Sequence, residues 1–342
     1  QTNTMAITAS VLPLLLERIG GVWPDNQNNA DLLANVETLN AIYENQTSRI
    51  DTIISNEKDR DVKVTWVKAC PPTPVDCVDS CTFAGTEAAT DSKTYALGVC
   101  KQDEFKVDID GWYANEFEAT DATARLMMAS FVGFAEQAAQ YAVGRLNAYA
   151  GTPLYDNRGQ WTINGTDLEI PAQYWNSSLF GGLLRMATKN KLLMPYLLSG
   201  ELLDQEFFMY RTSQANSDGK GDANRINTMR TYFDLFNIDE VNDPDYVAYM
   251  ISKGAVAFAS KGYYDTRPEE IGGRDAHTRF SIANPFFPPQ IIDVQKTTQC
   301  SGGHTYEHYK MKSKYDVFQN PLGCVAGTTG IVKVVQTPAN VV

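Results

Sequence analysis

The stretch that decides the fold is FEATDATARLMMASFVGFAEQAAQYAVGRLNAY, residues 117–149. It contains no proline, and Met127, Phe131, Phe134 and Ala138 recur three and four positions apart, as on one face of a helix. At 1.5 Å per residue the segment predicts one helix of about 45–50 Å. Because its residues are small or apolar nearly all round, we expect neighbouring elements to cover much of its surface.

The residues before this helix predict an extended hairpin. In DVKVTWVKA, residues 61–69, apolar and polar side chains alternate, which is typical of a strand with one buried face. Residues 94–100 and 105–109 are predicted as the return strands. The long segment between the two arms is rich in proline and small polar residues, and a tip of this length usually has a function or reaches a partner.

An amphipathic helix is predicted before the hairpin. It begins near Asp31, and Leu32, Val36, Leu39 and Tyr43 follow at helical spacing. The isoleucines that come next extend the pattern (Ile50, Ile53 and Ile54). We interpret this segment as an arm or a docking helix.

The residues after the long helix predict a body of mixed helices and strands, so the fold class is α+β. One helix is expected near 173–190. A second is predicted where Asp243 is the N-cap, Pro244 the first helical residue and Gly254 the terminator. The proline- and glycine-rich residues 260–290 are expected to be mostly loops. Strands are predicted towards the end of the chain (290–297, 305–315 and 330–335).

Composition excludes several classes of protein. The chain has 342 residues, of which 43% are hydrophobic, so it is not disordered throughout. Its formal net charge of −12 argues against nucleic-acid binding over the whole surface. No run of about 18 apolar residues predicts a membrane-spanning helix.

Four of the six cysteines lie close together in the loop-like region: Cys70, Cys77, Cys81 and Cys100. They are either free thiols or form one or two disulfides that pin the loop or link it to a neighbouring chain. Their spacing lacks the paired CxxC pattern of a zinc site.

Candidate catalytic residues are sparse, and no HExxH, GxSxG or phosphate-binding glycine motif is present. Cys300, His304 and His308 are four positions apart, and even spacing would put all three on one face of a single strand. The alternatives are a metal site and a polar strand face. We therefore predict that the protein is not an enzyme and has no cofactor.

This order of elements resembles that of the major capsid proteins of tailed bacteriophages, the Hong Kong 97-type fold. The resemblance covers most of the chain, and YVAYMISKGAVAF (residues 246–258) and KYDVFQNPLG (residues 314–323) are similar to stretches of that family. It implies an N-terminal arm, an extended hairpin loop, a long spine helix, and peripheral and axial domains. The implied boundaries are listed here: arm 1–58, extended loop 59–112, peripheral domain 113–171 with the spine helix 117–149, axial domain 172–285, and a return to the peripheral domain at 286–342.

The resemblance implies a structural virion protein that assembles into an icosahedral shell around phage DNA. Its partners would be copies of itself in hexamers and pentamers, together with scaffolding, portal or decoration proteins, and DNA through weak, non-specific contact. It would be assembled in the host cytoplasm and located in the virion capsid, with no membrane contact. A start at Gln1 fits the family's removal of an N-terminal region, and Lys93 and Lys101 lie in the loop that some members crosslink.

The alternative is a secreted or periplasmic enzyme or binding protein, or another phage structural component. In the secreted alternative the cysteines form intrachain disulfides, and three Asn-x-Ser/Thr sites carry sugar (Asn45, Asn164 and Asn176). Particle size, bound zinc and glycan mass would distinguish these alternatives from a shell subunit.

Overall fold

The structure is a computed structural model of the full chain. It describes the following residues: 34–52, 61–67, 90–110, 116–176, 179–201, 203–204, 207, 229–243, 245–263, 269–271, 277–322 and 328–337. The helices are α1 (Glu37–Asn45), α2 (Glu116–Tyr149), α3 (Leu179–Lys189) and α4 (Asn237–Asn242). The strands are β1 (Arg49–Thr52), β2 (Asp61–Val67), β3 (Thr90–Ala96), β4 (Val99–Asp108), β5 (Thr162–Asn164), β6 (Asp167–Pro171), β7 (Tyr196–Ser199), β8 (Arg230–Phe233), β9 (Val247–Ile251), β10 (Val256–Ser260), β11 (Glu269–Ile271), β12 (His277–Asn284), β13 (Phe287–Ser301), β14 (His304–Gln319) and β15 (Ile331–Thr337).

The long helix is confirmed. α2 has 34 residues and so is about 51 Å long. Its N-terminal half packs on one face of a sheet, where Met127, Phe131 and Phe134 share a buried cluster with Ile292 and Met311. Its C-terminal half lies in a second cluster with α1 and three of the strands of another sheet. A line of exposed residues runs along it (Arg125, Leu126, Ala129, Gln137, Gly144 and Ala148), and the other positions from 122 to 149 are buried or half-buried, so much of its surface is covered, as expected.

The described strands form three sheets. The first has three strands in the order β1-β2-β3. The second has the order β10-β14-β13-β12-β11, and β4 also pairs with β14. The third has the order β5-β6-β15-β9-β7-β8. The first two sheets are antiparallel, and the third is mixed because β6–β15 and β7–β8 are parallel pairs. Separate sheets together with helices give the α+β class, as predicted.

The arm helix is shorter than predicted and belongs to the main core. It begins at Glu37, and Ile50 lies in strand β1 and does not extend the helix. Leu39 and Ile42 are fully buried against the C-terminal half of α2. The described part of the predicted arm is therefore an integral part of the folded body.

The prediction of a helix from Asp243 to Gly254 is wrong. Residues 247–251 form β9, which lies between β15 and β7 and is buried at every position. Val247 and Tyr249 enter the cluster beside α2, whereas Ala248 and Met250 enter a cluster beside α3. A strand buried on both faces is apolar throughout, and a short apolar run does not distinguish it from a helix.

The prediction that residues 260–290 are mostly loops is also wrong in part, because β12 and the start of β13 lie there. Ala283 pairs with Ile291 but Asn284 pairs with Phe287, so the register shifts at this point. The prolines at 288 and 289 lie in the shift, where the ladder requires no N–H donor from them. Prolines therefore mark an irregularity within a strand here.

The sheets cross the boundaries expected for the domains. β15, from the segment 286–342, joins the sheet of β5–β9, whereas β13 and β14 of the same segment pack on α2. β10 and β12, from the segment 172–285, belong to the sheet that packs on α2. The boundaries at 171 and 285 therefore do not separate the two larger sheets. Within the described residues, no helix has the length and apolar character needed to span a membrane.

Candidate assembly surfaces

The predicted hairpin is confirmed in part: β3 returns beside β2, but the second predicted return strand, 105–109, falls mostly in β4, which pairs with β14. β2 and β3 pair from Asp61 with Ala96 to Val67 with Thr90. Trp66, with the two valines that alternate with it in β2, is fully buried in a cluster with Phe318, as the alternation predicts. β3 is exposed or half-exposed at every position. The hairpin thus has one anchored strand and one that is open to solvent.

The hairpin is fixed at its base by a buried carboxylate. Asp316 Oδ2 accepts a hydrogen bond from the Gly98 N–H at 3.1 Å, directly before β4. Its Oδ1 accepts from the Tyr141 hydroxyl at 2.7 Å and pairs with Arg145 at 3.4 Å. A Cβ at residue 98 would lie 2.9 Å from Asp316 Oδ2, which explains a glycine at this close approach. The start of β4 is thereby tied to the spine helix.

This junction also perturbs the tyrosines around it. Burial raises the pKa of Tyr141 well above its ordinary value, and its hydrogen bond to Asp316 raises the pKa further. Burial raises the pKa of Tyr149 as well, and its hydroxyl donates to the Val317 carbonyl at 2.9 Å. The neutral phenols are therefore the forms that the folded protein holds.

Two of the predicted cysteines can be placed. Cys100 lies on β4 and Cys300 near the end of β13. Both are exposed, and no disulfide joins them. Cys70, Cys77 and Cys81 lie outside the described residues. Pairing among the clustered cysteines therefore stays a prediction.

The proposed set of Cys300, His304 and His308 is not brought together. Cys300 is the last but one residue of β13, and a turn at 302–303 separates this strand from His304, which begins β14. Cys300 pairs with Thr305 and so lies on the face opposite His304 and His308. The two histidines are four residues apart on one strand, about 13 Å, which is too far to ligate one ion. The assumption of a single continuous strand was the error.

His304 instead contacts Asp108, the last residue of β4, and lies near Asp110. Its Nδ1 lies 3.3 Å from Asp108 Oδ2, and Asp110 Oδ2 accepts a hydrogen bond from the Thr305 N–H. The ligand-type atoms of these three side chains lie within 4.8 Å of one another, so this is where a cation could bind. The contacts within the group already explain it as a tie between the end of β4 and the tip of the β13–β14 hairpin.

A second buried carboxylate, which sequence analysis missed, caps two helices. Asp234 Oδ2 accepts hydrogen bonds from the Thr38 N–H and hydroxyl at 3.2 and 2.6 Å, in the first turn of α1. Its Oδ1 accepts from the N–H groups of Phe236 and Asn237 at 3.3 and 2.8 Å, at the start of α4. The two helices are 196 residues apart at this contact, so no local pattern could have indicated it.

Comparison with known proteins gives similarity at the level of structure. No protein-family model and no curated protein matches the sequence. A chain of the Cyanophage A-1(L) capsid asymmetric unit is similar over 90% of this chain and 94% of its own, with 10% identity and a TM-score of 0.46. A chain of the Cyanophage P-SCSP1u capsid is similar over 85% and 89%, with 11% identity and a TM-score of 0.44. A chain of the capsid of a native GTA particle is similar over 89% and 91%, with 10% identity and a TM-score of 0.43.

At these sequence identities the roles of individual residues are not carried from those proteins to this chain. The described polar clusters at Asp316, Asp234 and His304 all tie elements of the fold to one another. These clusters form a framework within the described residues.

Proposed function

We propose that this protein is the major capsid subunit of a tailed bacteriophage and that many copies assemble into a closed shell around the phage DNA. The observation that carries the proposal is the β2–β3 hairpin. β2 is buried on one face against the body, whereas β3 is exposed or half-exposed at every position and follows a long segment, 68–89. A strand open to solvent in a single chain is suited to contact with a neighbour.

The order of elements supports the same proposal. An arm precedes the hairpin, α2 follows as the spine, and the late strands β13 and β14 return to pack on it. In this proposal α2 with the sheet of β4 and β10–β14 is the peripheral domain. The sheet of β5–β9 and β15 is the core of the axial domain, which would contact its copies in hexamers and pentamers.

The proposed location is the virion capsid, after assembly in the host cytoplasm. Scaffolding, portal and decoration proteins are proposed partners, and contact with packaged DNA would be weak because the chain carries a net charge of −12. The role is structural and needs no cofactor, since the buried carboxylates hold elements together.

The secreted alternative is disfavoured by one of its own sites. Asn45 is 6% exposed, and its Nδ2 donates to the Ala41 carbonyl at 2.8 Å and to the Tyr232 hydroxyl at 3.1 Å. A glycan on this nitrogen would require α1 to leave the core.

The test is the particle formed by the native chain and by a variant of the hairpin. Light scattering and negative-stain micrographs of the native chain should show closed shells hundreds of ångströms across. Replacing residues 68–89 by Asn-Gly, which closes β2 onto β3 with a two-residue turn, should leave a folded subunit that no longer forms shells.

The control for this experiment keeps the length and removes the side chains. A Gly/Ser segment of equal length in place of 68–89 distinguishes the reach of the hairpin from the contacts made by its tip. A uniform native monomer would overturn the proposed function, and shells of normal yield from the shortened variant would overturn the role of the hairpin.

A further inference from the structure

The sheet that packs on α2 has an outer face with an unusual composition. β14 alternates as far as Lys314: Glu307, Tyr309, Met311 and Ser313 are buried on the helix side, and residues 315–318 are buried throughout. On the other side, from His304 to Lys314, every residue is partly or fully exposed and is histidine, tyrosine or lysine (His304, Tyr306, His308, Lys310, Lys312 and Lys314). We call this outer surface of β14 with the adjoining positions of β4 and β13 the basic face.

The charges of the basic face are only partly neutralised within the chain. Lys310 forms an ion pair with Glu104 of β4. Lys312 and Lys314 form no ion pair with any described residue, and their partners across β4 are the uncharged Gln102 and Cys100. The β13 neighbour of Lys312 is Asp293, whose buried Oδ1 accepts hydrogen bonds from Tyr263 N–H and Ser281.

The basic face also contains a depression. It has a volume of about 440 Å³ and lies beside the ion pair of Lys310 and Glu104, which both line it. Its lining also includes Lys106 of β4 and polar side chains of β13 and β14 (Gln295, Gln299 and His308). A concave surface with amide and imidazole groups can donate hydrogen bonds to an acidic segment that projects into it.

A surface of opposite character lies at the other end of the spine. Residues 234–246, DLFNIDEVNDPDY, contain five acidic residues and no Lys, Arg or His; we call this segment the acidic turn. Glu240, Asp243 and Asp245 are exposed and form no ion pair with any described residue. Beside them Phe236 and Tyr246 are 47% and 48% exposed, and exposed aromatic side chains are typical of an interface.

The acidic turn packs beside α2, whereas the basic face is the side of its sheet that points away from α2. Met311, next to Lys312, lies in the cluster with Phe131 of α2. α4 in the acidic turn contacts α2 where Asn147 Nδ2 donates to Asn242 at 2.9 Å. Phe131 and Asn147 are separated by about 24 Å along the helix axis. Two complementary surfaces at different places on one molecule are suited to contact between molecules.

We propose that the basic face of one copy docks the acidic turn of a second copy of this chain. The inference rests on the proposed function and names the contact that joins subunits. The two surfaces differ, so the contact is head-to-tail, the class that closes into rings or continues as an open array. Lys312 and Lys314 lie against Asp243 and Asp245, and Phe236 and Tyr246 are covered at the same contact.

Nucleic acid is the other polyanion that the basic face could bind. Two lysines without an intrachain partner on a chain of net charge −12 are few for phosphate-backbone binding. A compact acidic segment with exposed aromatic residues matches the face in both charge and apolar character. The observations therefore favour a second copy.

Charge reversal and exchange test the contact. K312E/K314E and D243K/D245K should each raise the protein concentration needed for shell formation at least about tenfold, because each opposes like charges across the interface. The fourfold variant K312E/K314E/D243K/D245K exchanges the two signs and should return that concentration to within about threefold of the native value. The matched control K189E/K253E reverses two exposed lysines away from both surfaces and should assemble normally.

A second measurement does not depend on shells. In sedimentation at low ionic strength, K312E/K314E and D243K/D245K should remain monomeric alone and form heteropairs when mixed, since only unlike molecules then present opposite charges. Circular dichroism establishes that each variant is folded. If the native chain forms no shells, the proposed function fails, and the heteropair measurement still decides the docking contact.

Three results would overturn the inference: reversed variants that assemble like the native chain, a fourfold variant that stays unassembled, or mixed variants that form no heteropairs. If K312E/K314E instead assembles normally and loses binding to a DNA duplex that the native chain binds, the basic face is a nucleic-acid surface and the docking proposal is wrong.

Discussion

At the scale of single residues, buried carboxylates hold this fold together. Asp234 and Asp316 are 2% and 4% exposed, and each joins segments far apart in the chain. An ionised carboxylate is stable in such a place only when several donors surround it. Each of these carboxylates accepts hydrogen bonds from several segments. A substitution at either position therefore affects more than one element.

Replacement of Asp234 by alanine should destabilise the isolated subunit by about 3 kcal/mol or more, because the Thr38 and Asn237 N–H groups lose a charged acceptor inside the protein. Urea unfolding followed by circular dichroism measures this change. Asp245→Ala, at an exposed position, is the matched control and should change the free energy of unfolding by no more than about 0.5 kcal/mol. Equal effects of the two substitutions would contradict the double-capping role.

At the scale of elements, α2 is stabilised by what packs on it. Its N-terminal half lies on the inner face of β13 and β14, and its C-terminal half lies among α1, β9 and β10. Buried side chains also reach its backbone: Asn284 and Gln290 donate to the carbonyls of Phe131 and Phe134 at 2.9 and 3.1 Å. The helix therefore connects the two larger sheets as a rigid rod.

Phe131→Ala should cost about 3–5 kcal/mol of unfolding free energy, since this fully buried ring fills the contact between α2 and the sheet. Leu126→Ala is the control on the same helix, because Leu126 is 42% exposed and its truncation should cost about 0.5 kcal/mol. Both values come from urea titrations of the isolated subunit. A similar small loss for both would mean that the helix is held by its termini and not by this cluster.

At the scale of the whole molecule, buried tyrosines recur in the core and should make it sensitive to alkali. Burial raises the pKa of each of six of them above the ordinary value of about 10 (Tyr141, Tyr149, Tyr196, Tyr249, Tyr309 and Tyr315). The folded state then keeps protons that the unfolded chain loses above about pH 10. This contribution to stability is complete below about pH 10 and is lost progressively above it.

The free energy of unfolding should therefore fall between about pH 10 and about pH 12, with the loss of core tyrosine protons visible as late tyrosinate absorbance. Tyr196→Phe removes one fully buried titrating group and should make the fall less steep. A profile that is flat over this range, or unchanged by the substitution, would show that these phenols do not hold their protons in the folded state.

The sequence predicted an element correctly where one face of that element is buried, because apolar residues then recur at a regular spacing. The alternation around Trp66 and the helical spacing of Met127, Phe131 and Phe134 were both confirmed, since burial of one face is a local property of an element. β9 was assigned wrongly because its residues face two different cores and so show no period. The prediction that Cys300, His304 and His308 share one strand face was wrong. The tight turn at 302–303 places Cys300 on the sheet face opposite the two histidines.

The sequence by itself determined the α+β class, the long spine helix, the anchored hairpin strand and the acidic net charge. Each of these follows from the spacing of apolar residues or from the amino-acid composition. Only the tertiary structure decided the sheet order, the double cap at Asp234, the tie at Asp316 and the opposition of the basic face and the acidic turn. These features depend on residues that are brought together over long chain distances, and no local pattern specifies which distant segment a strand or a carboxylate will meet.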